Sequence, residues 1–411
     1  MPGRSGSGDW GTAGARAGGR IRHNGRVTHR TRWLIFAVST PLVLLVAVGG
    51  LIGAAPVDAQ RGFAHLRVFE EVLSLIATSY VESVDIDPVM DGAMRGLADG
   101  LDAESAYLTP ADVDGLDSSP GPADVGVVVA RQFYLRVVGV RDDSPAARAG
   151  LRTGDYIRAI DDAPTRDLSA LRGARLLAGA PGSAVKLLVF RTNAADPHAF
   201  TITREVPAGD PVTGRRIDNR IVLVRIRSFN PGTADAVRTQ VTALQATPAT
   251  TVLLDLRGVA DGSADDAVAT ARLFVKQGPL ATSAGRDGER QTVAAEPGDG
   301  ALAMPLVVLV SNGTAHAGEI FAAALQGNGR AKLVGEPTPG LAGEQKLFRL
   351  PAGHGLWMTH RQYLTVSGRP IHGQGLDPDV AAAAPIVDFG ETPPATDVVL
   401  ERALALAREG V

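Results

Sequence analysis

Cysteine is absent from all 411 residues. Disulfides and thiol catalysis are therefore excluded, while the compartment stays open, since an oxidising one is neither required nor ruled out. An excess of charge of one sign is also missing. Forty-one basic and 44 acidic residues leave a net charge of −3 at pH 7, so no global field points to nucleic acid or to an acidic partner. No internal repeat is found. What is present is an apolar fraction of 45%, enough for globular cores in a chain longer than one ordinary domain.

The N-terminal 32 residues combine Arg4, Arg16, Arg20, Arg22, Arg26, Arg30 and Arg32 with many glycines and almost no acid. Such a composition reads as a disordered basic tail over residues 1–32. An uncharged run from Trp33 to Ala55 follows. As a helix it would span roughly 35 Å, enough to cross a bilayer. The arginines before it place the tail in the cytoplasm and the body outside. The alternative is a cleaved signal peptide, because Val57-Asp-Ala59 precedes Gln60 like a small-residue cleavage site. The length of the run favours a retained anchor, and both readings export the body.

In the exported part, Phe63, Leu66, Phe69, Leu73 and Ile76 recur at helical spacing, and a second helix is expected near Pro88–Leu101. Residues 61–117 form a helical N-terminal region to which no chemistry is assigned. After the linker Ser118-Ser-Pro-Gly-Pro-Ala123, paired strands are expected over Gly126–Ala130 and Leu135–Val140. The run Ala149-Gly-Leu-Arg-Thr-Gly-Asp-Tyr-Ile157 resembles a PDZ domain, here bounded at 123–206, with Leu168–Leu177 as its groove-lining helix. The resemblance implies capture of a chain end as an added strand, with backbone N–H donors at Gly126, Val127, Val128 and Val129. The alternative is a PDZ fold kept as a packing module. From residue 210 to 411 apolar strands (Arg220–Arg227, Thr251–Arg257) alternate with helices (Thr233–Leu244, Ala264–Val275, Asp397–Arg408), implying a largely parallel sheet covered on both faces.

The most informative stretch is Val310-Ser-Asn-Gly-Thr-Ala-His-Ala-Gly-Glu-Ile320. The run Pro305–Val310 reads as a buried strand and Glu319–Leu325 as a helix. A strand–turn–helix of this kind lifts a nucleophile to a helix N-terminus, where free N–H groups can stabilise an oxyanion. With Arg330–Glu336 and Gly368–Val380, this stretch resembles the carboxyl-terminal processing (tail-specific) serine peptidases. That resemblance implies an α/β fold: a crotonase-like peptidase core with a PDZ domain and a helical N-terminal region, behind one N-terminal transmembrane helix.

The same resemblance implies a Ser–Lys dyad, and here neither residue is present. His316 occupies the serine position, and Leu341, twenty-five residues on, occupies the lysine position. A leucine cannot take a proton. Glu319 and Gln345 match the supporting positions. In the oxyanion loop Arg257-Gly-Val-Ala-Asp-Gly262, Asp261 replaces the first glycine; an aspartate there disfavours a positive φ and brings negative charge toward an oxyanion. Substitutes are poor. Thr314 lies two residues off the elbow, Lys346 is an odd strand offset from Leu341, and Lys332 is no better supported. His316 and Glu319 are i,i+3 at a helix start and so can touch. Two such residues make acid–base machinery or half a metal site, but no third ligand stands at recognisable spacing, and His354, His360 and His372 look ordinary. No metal or cofactor is expected.

The leading reading is an exported, inner-membrane-anchored pseudo-peptidase with its body on the periplasmic or extracytoplasmic side. Its expected partners are C-terminal tails of exported proteins, the membrane through residues 33–55, and an active processing peptidase that it scaffolds or regulates, with no nucleic acid. The competing reading is a working serine-type endopeptidase with an unrecognised nucleophile. A third is a purely structural envelope protein.

Overall fold

The computed structural model describes residues 57–191, 196–245, 250–392 and 394–410. The basic tail and the apolar run expected to cross the membrane lie outside these residues. Among the described residues no helix is long and apolar enough to span a bilayer. Helix α1 (Val57–Ser79) falls in the first of two compact units, which ends at Ile86; the second runs from Asp87 to Val411.

Helix α2 (Ile86–Asp99) leads into a bend and a short strand, β1 (Ala106–Leu108). Helix α3 (Pro110–Leu116) begins with a capping box in which Thr109 and Asp112 satisfy each other's main-chain N–H groups. The next sheet has the strand order β2-β3-β4-β6-β7, with β5 beside β4. Its strands are β2 (Val127–Gln132), β3 (Tyr134–Val140), β4 (Tyr156–Ile160), β5 (Ala163–Pro164), β6 (Ala184–Phe190) and β7 (His198–Thr203). Helices α4 (Pro145–Ala149) and α5 (Ala170–Leu177) complete it, and its centre is a closed apolar cluster that includes Val125, Val129, Leu135, Val137 and Leu177. Strand β2 is an edge of this sheet, with α5 packed against it.

The larger core is a six-stranded sheet, in the order β17-β14-β13-β10-β9-β8. Strands β8 (Val212–Arg216) and β9 (Ile221–Ile226) precede helix α6 (Thr233–Leu244), and β10 (Thr251–Asp255) precedes α7 (Ala264–Ala271). Strands β11 (Pro279–Gly285) and β12 (Arg290–Ala294) come before β13 (Leu306–Val310), α8 (Ala317–Gly327) and β14 (Lys332–Gly335). Strands β15 (Gly343–Arg349), β16 (Gly355–Leu364) and β17 (Val380–Ala381) lead to α9 (Val398–Glu409). Every pairing in the six-stranded sheet is parallel except β8 with β9. Successive side chains of a strand point to opposite faces. Val252, Leu254, Leu306, Val308 and Val310 therefore join α7 and α8 in one cluster, while Leu253, Val307 and Leu309 join α9 in another. With both faces covered, each of the five residues of β13 is fully buried, which is why that segment is apolar throughout.

A second sheet of the core does not follow from the sequence pattern. Strands β1, β16, β11 and β12 pair antiparallel, with β15 also on β16. Its outer strand β12 is exposed along its whole length, so no apolar alternation marks it. Helix α7 also stops at Ala271 rather than continuing to Val275.

The β2–β7 module is fastened to the core by charge. Asp142, after β3, accepts from Arg225 at 2.8 and 3.0 Å, and Asp143 pairs with Arg227 at 2.9 Å. Arg225 also approaches the buried Asp255 at 3.4 Å, and Arg257 bonds the same carboxylate at 2.7 and 3.0 Å. A second attachment runs through Arg191, which donates to the Val387 carbonyl at 2.8 Å and lies over the Phe389 ring. Asp255 therefore balances two guanidiniums at the end of β10. Asp255→Ala is expected to destabilise the protein by about 1–3 kcal/mol, because Arg225 and Arg257 lose their shared buried acceptor and keep only Asp142 and Asp397. Urea unfolding, read by midpoint at constant slope, checks this.

Candidate active site

The loop after β13 turns sharply before α8 starts. Thr314 holds it: its hydroxyl donates to the Leu256 carbonyl at 2.8 Å and accepts from the Ser311 N–H at 3.0 Å. Both capacities of that hydroxyl are spent and the residue is fully buried, so Thr314 is part of the turn and not a nucleophile. His316 follows with φ 48° and ψ −116°, immediately before the first helical residue. That is a backbone conformation rarely adopted by side-chain-bearing residues, and it costs about 1–3 kcal/mol. It is also the shape of a nucleophile elbow. The turn, then, is formed as expected, with an imidazole at its tip.

The imidazole is bonded at both nitrogens. Nδ1 lies 3.0 Å from the Ala260 carbonyl and Nε2 2.6 Å from Glu104 Oε1. A carbonyl only accepts, and so does a carboxylate. Both ring nitrogens therefore carry hydrogen, and His316 is an imidazolium with no lone pair to offer. Burial opposes the charge, but the Glu104 hydrogen bond and charge, the Ala260 carbonyl and the charge of Glu319 outweigh it. The pKa is pushed up to about 9. The second oxygen of Glu104 accepts from Gln345 Nε2 at 2.9 Å. Gln345 thus positions the counter-ion of His316.

Glu319 meets His316 across the i,i+3 step only through the main chain, its N–H donating to the His316 carbonyl at 3.0 Å; its carboxylate does not bond the ring. Its carboxylate, fully buried, accepts from the Thr338 hydroxyl, from Gly340 N–H at 2.7 Å and from Leu341 N–H at 2.8 Å. Burial raises its pKa, opposed by those three donors and by His316. Its role is to clamp the 338–341 turn to α8. Leu341 itself closes an apolar cluster with Ala130, Val138, Ala260 and Ala315, bordered by Ala103 and Val128. Lys346 is exposed on the strand face opposite Gln345, and Lys332 is exposed on β14. No amine meets the elbow from either position.

The loop over residues 257–262 presents carbonyl groups to the elbow. Ala315 N–H donates to the Val259 carbonyl at 2.9 Å, and Ala260 O takes the His316 ring. A developing oxyanion needs donors there, so the polarity is reversed. The expectation for Asp261 is corrected in one respect. Its φ is not positive; the left-handed positions of the loop are Gly258 at 72° and Gly262 at 119°. A Cβ at Gly262 would come within 2.4–2.7 Å of the Phe229 main chain, so the tight demand falls on a residue that is glycine. The Asp261 residue is exposed.

Two acidic contributors were not identified from sequence, and His372, which looked ordinary there, has a partner. Glu104 comes from the segment after α2 to which no chemistry was assigned. Asp102, two residues earlier, lies 3.5 Å from His372. Although burial works against it, the His372 bond and the N–H groups of Glu104 and Ser105 hold the Asp102 carboxyl well below its usual range. Asp102 raises the His372 pKa in turn, against burial. The only signal for this arrangement was Asp102-Ala-Glu104 itself, two acids at a strand-like interval. Among the described residues no group of three or more His, Asp or Glu could hold a metal ion.

At the module edge, Gly126 has φ 84° and is buried; a Cβ there would meet Ser144 at 2.1 Å. Val127, Val128 and Val129 lie in β2, and Val129 is buried in the module core. The Arg141 guanidinium sits beside Gly126, paired with Asp124.

The raised pKa of His316 has a direct consequence. In the unfolded chain the ring titrates near 6.5, in the folded protein near 9. Its stabilisation is fully present below about pH 6.5 and is lost as pH rises through about 9. Stability, followed by the thermal midpoint, should fall across that window by on the order of 3 kcal/mol at most. Glu104→Gln should flatten the dependence.

Comparison with known proteins gives two matches within the chain: peptidase family S41 over residues 220–382 and a PDZ domain over residues 136–191. The chain is 34% identical over 281 residues to a carboxyl-terminal-processing protease of Synechocystis sp., covering 67% of this chain and 66% of that protein. It therefore spans just under two thirds of that relative. It is 27% identical over 365 residues to the carboxy-terminal processing protease CtpA of Bacillus subtilis, covering 88% and 78%. Among solved structures it is similar to a photosystem II D1 C-terminal processing protease, at 26% identity and TM-score 0.65 over 77% of this chain and 86% of that one.

Proposed function

The chain belongs to peptidase family S41 and carries a PDZ domain, and from that we propose that it is a carboxyl-terminal processing peptidase homologue without Ser–Lys catalysis that binds protein C-terminal tails. One observation carries the reading: both ring nitrogens at the elbow face acceptors, Nδ1 the Ala260 carbonyl at 3.0 Å and Nε2 the Glu104 carboxylate at 2.6 Å, which suits a doubly protonated ring. A general base or nucleophile needs a free lone pair, and this ring has none. Leu341 in an apolar cluster and a loop offering carbonyls support the same conclusion. The family fold by itself does not carry activity when the site has changed.

Tail binding rests on the PDZ domain. Strand β2 is a sheet edge, α5 lies against it, and Gly126 opens it with a backbone turn next to a guanidinium. An extended chain end can add to such an edge, with its carboxylate at the loop. The arginine-rich tail and the apolar run at 33–55 support a protein anchored in the cytoplasmic membrane with its body on the outer side. Its partners would be tails of exported proteins and, as a scaffold, an active processing peptidase.

Two measurements test this. A peptide with a free C-terminal carboxylate should bind the full-length protein at least about tenfold more tightly than its amidated twin, a loss of roughly 1.4 kcal/mol or more; equal affinity, or none for either, removes tail binding. An unstructured substrate bearing the same tail should not be cleaved. Turnover that disappears in His316→Ala would restore the peptidase reading.

A further inference from the structure

The open edge of β2 is not free along its whole length. The Arg131 N–H, near the far end of the strand, donates to the Ala103 carbonyl at 2.9 Å. The residue that supplies this acceptor lies between Asp102 and Glu104, so the segment Leu101–Ser105 crosses from the strand edge to the elbow. It is fastened at several points. Glu104 bonds His316 and Gln345, Asp102 approaches His372, and Ala103 borders the apolar cluster of Val128, Ala130 and Leu341. Arg131 also pairs with Asp99, at the end of α2.

Residues on one strand present main-chain groups to alternate edges. Val127, Val129 and Arg131 therefore share the edge that α5 faces, and Ala103 occupies its last position. An extended ligand rises about 3.4 Å per residue. Running antiparallel to β2 with its carboxylate at Gly126, it would lie beside Val127 and Val129 and reach Arg131 with about its fifth residue.

We propose that Leu101–Ser105 is an internal stop on the β2 edge: it leaves room for a chain end of about four residues, and a longer extended tail must displace it and so draw Glu104 away from His316. This rests on the tail-binding reading for its ligand. The existence of the stop does not. Tail occupancy and the charge state of the former nucleophile position are then coupled through one five-residue segment.

The test uses the full-length protein, a tetrapeptide, and a decapeptide ending in the same four residues, both with free carboxylates. In the wild-type protein the decapeptide should bind no more tightly than the tetrapeptide, and only the decapeptide should shift the NMR resonances of the His316 ring. In Glu104→Gln the decapeptide should gain about tenfold while the tetrapeptide changes less than about twofold. A wild-type decapeptide that binds tighter than the tetrapeptide and leaves His316 unmoved overturns the stop. A ligand-free measurement separates the two ideas. Hydrogen exchange at the Arg131 amide should rise at least about tenfold in Glu104→Gln. If it does while neither peptide binds, the stop stands and tail binding falls; if it does not, the stop falls whatever the peptides do.

Discussion

One ion pair between residues 212 positions apart, Glu104 and His316, organises the centre of this molecule. It neutralises a cation that the elbow would otherwise hold in a largely dry site, where an unpaired charge costs several kcal/mol. The pair also explains its neighbours. Gln345 is needed because the second carboxylate oxygen of Glu104 requires a donor, and the Ala260 carbonyl is usable because the ring offers a second N–H. Remove the negative charge and the ring loses its counter-ion and Gln345 its acceptor, while the main chain of the elbow keeps its own supports.

Around this pair two further polar side chains have their hydrogen-bonding groups engaged. Glu319 spends its oxygens on Thr338, Gly340 and Leu341, and Thr314 spends its hydroxyl on the turn. The PDZ domain closes over the same region through Val128, Ala130 and Val138, and its position is fixed elsewhere by Asp142, Asp143 and Arg191. Apolar contact at the elbow and ionic contact from the turn after β3 thus both join the module to the core.

How much of this could be read in advance depends on sequence separation. The strand Leu306–Val310, the small-residue turn and the helix after it are local, and their composition declares them. The positions of His316, Leu341, Glu319 and Gln345 follow from spacing within a known frame. Glu104 does not, because nothing near it in the chain demands a partner; its partner is set by how the segment after α2 crosses the core. The same holds for Asp102 with His372. Asp261 shows the opposite error: a glycine position in the family motif suggested backbone strain, yet the turn places its positive φ on Gly258 and Gly262. The antiparallel sheet stayed hidden because β12 faces solvent along its length and has no apolar alternation to reveal it.

The elbow is built without help from the side chain that it presents. The conformation at residue 316 is imposed by Thr314 beneath it, by the Ala315–Val259 bond beside it and by the helix that begins after it. None of these involves the imidazole. The main chain is therefore a socket whose direction is independent of its occupant, and whatever side chain stands at 316 is aimed at the same point in space. In such a scaffold the main chain decides where a side chain is delivered, and the residue type decides what arrives there.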